Sequence, residues 1–144
     1  MKSHEFINEA VEDESSNEKA QMVKDAWMHV MPNSAVSARK ILGGWTFRFF
    51  LTKDQSECAN GIRDNDPLYY AAHFDRDGTF KESHGYLLVK PTVPNMAYSS
   101  ERFRLKSTKN PTYEQLVKRF TNVRNFIMSN ADKLKDIKFN IADK

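Results

Sequence analysis

The sequence predicts an α+β domain with N-terminal helices, an antiparallel sheet of about four strands, and a long C-terminal helix packed on that sheet. Three patterns carry the prediction. Apolar residues recur at helical spacing over residues 22–31 and again over 113–127. Between these stretches, apolar and polar residues alternate with the period of two of a half-buried strand. The tetrapeptide "DRDG", residues 75–78, stands between two such alternating runs, where a hairpin turn is needed. A chain of 144 residues can bury a core without metals or disulfides. By composition it divides into an acidic segment, 1–16, and a single α+β domain, 17–144.

In chain order, "HEFINEAV" offers a short helix through Phe6, Ile7, Ala10 and Val11. The next helix is clearer: Met22, Val23, Ala26, Trp27, Val30 and Met31 form one apolar stripe. Ser15 stands three residues before Glu18, as in a capping box, and Pro32–Asn33 ends the helix. "SAVSARKILGG" is then expected as another short helix, capped by Ser34 and ended by Gly43 or Gly44. "WTFRFFLTK" is a strand with Trp45, Phe47, Phe49 and Leu51 on one face and Thr46, Arg48, Phe50 and Thr52 on the other.

A long polar connection follows at 53–66, and then the hairpin of "PLYYAAHF" and "FKESHGYLLVK". A type I turn with Gly78 in the left-handed position sets Asp75 against Thr79, Phe74 against Phe80 and Tyr70 against His84. "ERFRLKST" is a further strand. The helix after it starts at Pro111, with Asn110 or Thr112 as cap, and buries Tyr113, Leu116, Val117, Phe120, Val123 and Ile127. "DIKFNIADK" supplies a short last strand.

The run of rings around Phe47 poses a functional question, because proteins that bind single-stranded nucleic acid stack bases on aromatic residues of a sheet. The Trp45/Phe47/Phe49/Leu51 face is assigned to the core. Two amphipathic helices need an apolar cover, and exposing those side chains would forgo about 1.5–3 kcal/mol each. Arg48 and Phe50, on the other face, stay open as binding candidates.

Catalytic and metal motifs are few. Asp75 and Asp77 are residues that a tight turn favours, and with His73 they do not close a zinc site. The expected pairing turns His84 to the opposite face. Tyr70, Glu82 and His84 would share one face of the hairpin as an acid–base set, but without a substrate-positioning group. Cys58 has no base near it in sequence. No Walker loop, dinucleotide fingerprint, HExxH or GxSxG occurs, and no cofactor or metal is called for. With one cysteine, no signal-peptide pattern and no run long and apolar enough for a bilayer, the expected location is the cytoplasm, away from any membrane.

Charge gives the more specific signal. Lys and Arg stand three against seven Asp and Glu in residues 1–30, six against six in 31–78, and thirteen against six in 79–144. In "ERFRLKSTKN", a period of two puts Arg102, Arg104 and Lys106 on one face and turns Phe103 and Leu105 toward the core. Lys109 follows, and Lys118, Arg119 and Arg124 lie around the outer side of the long helix. These cations suit an acidic partner, and they equally suit an edge strand guarded by charge. The 53–66 connection, with Asp54, Glu57, Arg63 and Asp64, adds a mixed-charge contact loop.

The expected function is therefore a small non-enzymatic binding protein, such as an inhibitor, adaptor or immunity-type factor. It would meet an acidic surface of a protein partner through the basic strand and the loop. The alternative is a nucleic-acid binder, for single or double strands, that uses the same basic face with Phe50, Tyr69 or Tyr98 for stacking. A third reading is an enzyme of an unfamiliar class centred on His84 or His73.

Overall fold

A computed structural model of the chain describes residues 17–51, 68–89 and 99–133. The expected helix at 4–11, the loop at 53–66 with Asp54, Glu57, Arg63 and Asp64, and the last strand lie outside the described residues, as do Cys58 and Tyr98.

The first helix, α1 (residues 17–30), buries the predicted stripe: Val23, Ala26 and Trp27 are fully enclosed, and Met31 follows them into the core. Ser34 then closes this helix instead of opening a new one. Its hydroxyl donates to the Met31 carbonyl at 2.6 Å. The Trp27 indole N–H donates to the Ala35 carbonyl at 3.1 Å, which fixes the exit of the chain into a strand.

That strand corrects the expected short helix over 34–44. β1 (Ala35–Ile41) pairs antiparallel with β2 (Gly44–Phe50), from Ala35 opposite Phe50 to Ile41 opposite Gly44. Gly43 has φ 84 and Leu42 is not among the positive-φ residues, the pattern of a type II turn, in which glycine removes the steric cost. Val36 and Ala38 pack against the core from one face of β1, while Ser37 and Arg39 on the other are exposed.

β3 (Leu68–Phe74) and β4 (Thr79–Val89) form the predicted hairpin. The Asp75 amide bonds the Thr79 carbonyl at 2.8 Å, Gly78 has φ 87, and Phe74 opposes Phe80. Further along, the register shifts by one. Ala72 faces Glu82, but Ala71 faces His84 and Tyr70 faces Gly85, so Ser83 is the extra residue of a β-bulge. The bulge overturns the expected pairing of Tyr70 with His84 and moves His84 to the other face of the sheet.

The sheet runs β1-β2-β3-β4-β5, all antiparallel, with β5 (Ser99–Arg102) and β6 (Ser107–Lys109) sharing the far edge of β4. The expected single strand over 101–108 is thus two short ones. The second helix, α2 (Tyr113–Ser129), begins in a capping box: the Thr112 hydroxyl accepts from the Gln115 amide at 3.1 Å, and the Gln115 side chain accepts from the Thr112 amide at 2.8 Å. Leu116, Phe120, Val123 and Ile127 are its buried residues.

Both helices lie on the same face of the sheet. Trp27 of α1 has its ring centroid 4.7 Å from Phe49, 5.8 Å from Tyr70 and 5.4 Å from Phe120 of α2. Phe47, Phe49 and Leu51 are at most 1% exposed, so the aromatic strand does supply the core. No described helix is long and apolar enough to cross a membrane.

Candidate functional site

Two polar features stand out against this core, one inside it and one on the far side of the sheet. Inside, Glu82 reaches α2 from β4. Its carboxylate takes two hydrogen bonds from the Arg119 guanidinium, each 2.5 Å. The Glu82 side chain is 1% exposed and that of Arg119 15%. Arg119 also donates to the Arg104 carbonyl and lies 5.9 Å from the Phe103 ring centroid. Burial works against its charge, but the Glu82 carboxylate more than compensates and holds the guanidinium above its ordinary pKa.

The pair has a clear structural task. It sits where β4 bulges at Ser83 and where the neighbouring edge leaves strand geometry between Phe103 and Lys106. One guanidinium therefore satisfies a buried carboxylate and a carbonyl at the break in the edge. Beside it, the Tyr70 hydroxyl is buried without a hydrogen bond of acceptable geometry. Burial first, and the nearby Glu82 charge second, push the Tyr70 phenol well above its usual 10.0. The expected Tyr70–Glu82–His84 set does not assemble: Tyr70 and Glu82 face the helices, whereas His84 is exposed on the opposite side.

The other face of the sheet carries no described helix. Strand pairing sets its side chains in rows across the strands. One row runs Arg39, Thr46, His73, Lys81; the next Ser37, Arg48, Ala71, His84; the third Tyr69, Tyr86, Arg102, while Phe50, opposite Ala35, lies on the same face of β2. Arg39 and Arg48 are diagonal neighbours, about 7–8 Å apart at the backbone, and both are exposed. With Ser37 and Thr46 they line a shallow depression of about 240 Å³. The Thr46 hydroxyl already donates to the Ala72 carbonyl at 3.4 Å, so Ser37 and the two guanidiniums are the donors left to an incoming anion.

Acidic groups are placed elsewhere. Within β1 to β4 the one carboxylate is Glu82, which faces the helices. Asp75, just past β3, is held by Lys81 at 2.8 Å and His73 at 3.0 Å. The Lys81 ammonium bonded to it keeps its carboxyl below the ordinary 3.8. Among the described residues, no three His, Cys, Asp or Glu side chains are grouped to hold a metal.

The residues singled out from sequence fall in different places. Arg102, Arg104, Lys106 and Lys109 are all exposed along the β5–β6 edge, but they do not form a regular ladder. Only Arg102 and Lys109 lie in strands, and Leu105, expected to be buried, is 40% exposed. Lys118 is exposed on α2, Arg119 turns inward to Glu82, and Arg124 is half-buried. Phe50, a stacking candidate, is 5% exposed and stands outside the helix-side core. Arg39 was missed because its segment reads as helix; read as a strand, it shares a face with Ser37. Tyr86 was missed because its row depends on the bulge.

No family model, curated protein or solved structure matches this chain.

Proposed function

We propose that this chain is a small non-enzymatic binding protein and that its working surface is the open face of the sheet, which receives an acidic partner surface. The observation that carries this reading is the sorting of charge across one sheet. Arg39 and Arg48 project from the open face, Lys81 beside them is paired with Asp75 at 2.8 Å, and the one carboxylate of β1 to β4 is buried on the other face. Like-signed groups on one open surface attract an acidic partner and steer its approach. The basic edge, Arg102 to Lys109, borders this face. The cytoplasmic setting that goes with this reading rests on composition, with Cys58 the one cysteine.

Anisotropy of a labelled glutamate-rich peptide at about 50 and 200 mM salt tests the reading. Binding should weaken as salt rises, and Arg39→Ser with Arg48→Ser should remove most of it. A control pair, Lys109→Ser with Lys118→Ser, should leave most of it in place. If the control pair abolishes binding while the open-face pair does not, the working surface is the edge and α2. If the peptide does not bind at the lower salt, the acidic-partner reading fails.

A further inference from the structure

Tyr69 and Tyr86 oppose each other across β3 and β4 on the open face, with ring centroids 5.0 Å apart and planes 17° from parallel. Arg102, paired with Tyr86 across β4 and β5, places its guanidinium 5.8 Å from the Tyr86 ring centroid. Both rings are half-buried and Arg102 is exposed, whereas Phe50 on the same face is 5% exposed, so solvent reaches Tyr69, Tyr86 and Arg102 but not the Phe50 end of this face. The next row, one residue pair away, has Arg48 and His84 on either side of Ala71, whose small side chain leaves the middle of the face low. Beyond it lies the row with Arg39 and Lys81.

Resting on the acidic-partner reading above, we infer that the partner is a single-stranded nucleic acid whose bases stack at Tyr69, Tyr86 and Arg102 while its phosphates lie over Arg48 and Arg39. Charge alone does not distinguish a protein carboxylate surface from a phosphate backbone. The aromatic row does. A carboxylate patch can use the tyrosine hydroxyls but not the ring faces, whereas every base has a π-face that aromatic side chains and guanidinium planes can hold without regard to sequence. Rows on one face of a sheet are about 6.5–7 Å apart along the strand, close to the phosphate repeat of an extended single strand. A duplex fits less well, because its base faces are hidden in its own stack.

The test uses the whole chain and three labelled probes of similar charge: an oligothymidylate of about 15 nucleotides, an abasic deoxyribose-phosphate polymer of the same length, and the glutamate-rich peptide. Oligothymidylate should bind about tenfold tighter than the abasic polymer. Tyr69→Leu with Tyr86→Leu should remove that advantage and leave the abasic polymer and the peptide unaffected. Tyr69→Phe with Tyr86→Phe keeps the rings and should keep the advantage, a result that also covers the case in which the leucine variant does not fold. Equal binding of the two oligomers by the native chain would overturn the inference. So would loss of all three probes in a leucine variant that remains folded. If the peptide binds and neither oligomer does, this inference fails while the acidic-partner reading stands. If no probe binds, both fail.

Discussion

Phe47 and Phe49 of β2 point to the helices and are 0% exposed, while Arg48 between them points away and is open to solvent. The same comparison holds on β3, where Tyr70 is enclosed and its neighbour Tyr69 is half-buried. One face of the sheet is thus closed by two helices around Trp27, and the one carboxylate that β1 to β4 place there is neutralised within the molecule by Arg119. The other face carries cations and one tyrosine pair, with no described helix over it. The difference teaches that stability and recognition are assigned to opposite sides of the same strands. Changes on the covered face should alter folding, and changes on the open face should alter binding.

The largest expected effect breaks the covered side. Phe49→Ala removes a ring in contact with Trp27, Tyr70 and Phe120 and should cost about 3–5 kcal/mol, measured by urea unfolding. A loss below about 1 kcal/mol would mean that this face is not the core it is described to be. Next comes the internal ion pair. Glu82→Ala leaves the Arg119 guanidinium largely buried without its carboxylate and should cost about 3 kcal/mol. Replacing both, Glu82→Met with Arg119→Met, should recover most of that loss, since a packed apolar pair no longer leaves a charge uncompensated. If the single change is harmless, the pair does not hold the bulge.

A smaller effect concerns pH. Because burial raises the folded-state pKa of Tyr70, its contribution is fully present below the ordinary 10.0 and is lost as pH rises from there through the folded value. Above that ordinary value the unfolded chain gives up this proton first, so the fold weakens. Tyr70→Phe should remove this part of the alkaline loss. At neutral pH it should change stability by no more than about 1 kcal/mol, because the buried hydroxyl lies beside Glu82 and Arg119 without a well-formed hydrogen bond to either. Thermal midpoints at neutral and alkaline pH check both, and a clear loss at neutral pH would show that the hydroxyl is bonded after all. Smallest of all, Arg39→Ser with Arg48→Ser should change stability by no more than about 0.5 kcal/mol. A larger change would tie the open face to folding and blur the division between the two sides.

What the sequence made legible follows the same division. α1, α2, β2 and the hairpin were readable because each buries an uninterrupted apolar pattern, and Gly78 marks the turn with the torsion it needs. β1 was misread because "AVSARKI" is composed largely of residues that also suit helices. Pairing with β2 and the packing of Val36 and Ala38 decided its conformation. The bulge at Ser83 leaves no mark in a period-two pattern, yet it alone decides that His84 points outward and that Tyr69 meets Tyr86. Glu82 and Arg119 are 37 residues apart and meet only once α2 lies on the sheet. The open face was half visible, through Arg48 and Tyr69, and its other members needed the register.

The most direct measurement of the central claim is amide-shift mapping of isotope-labelled protein titrated with the glutamate-rich peptide at about 50 mM salt. The account predicts that the perturbed amides cluster at Ser37, Arg39, Thr46 and Arg48 and continue through Ala71 and His84, with the solvent side of α1 and α2 unchanged. Perturbation confined to Lys109, Lys118 and their neighbours would contradict it and return the binding surface to the edge and the second helix.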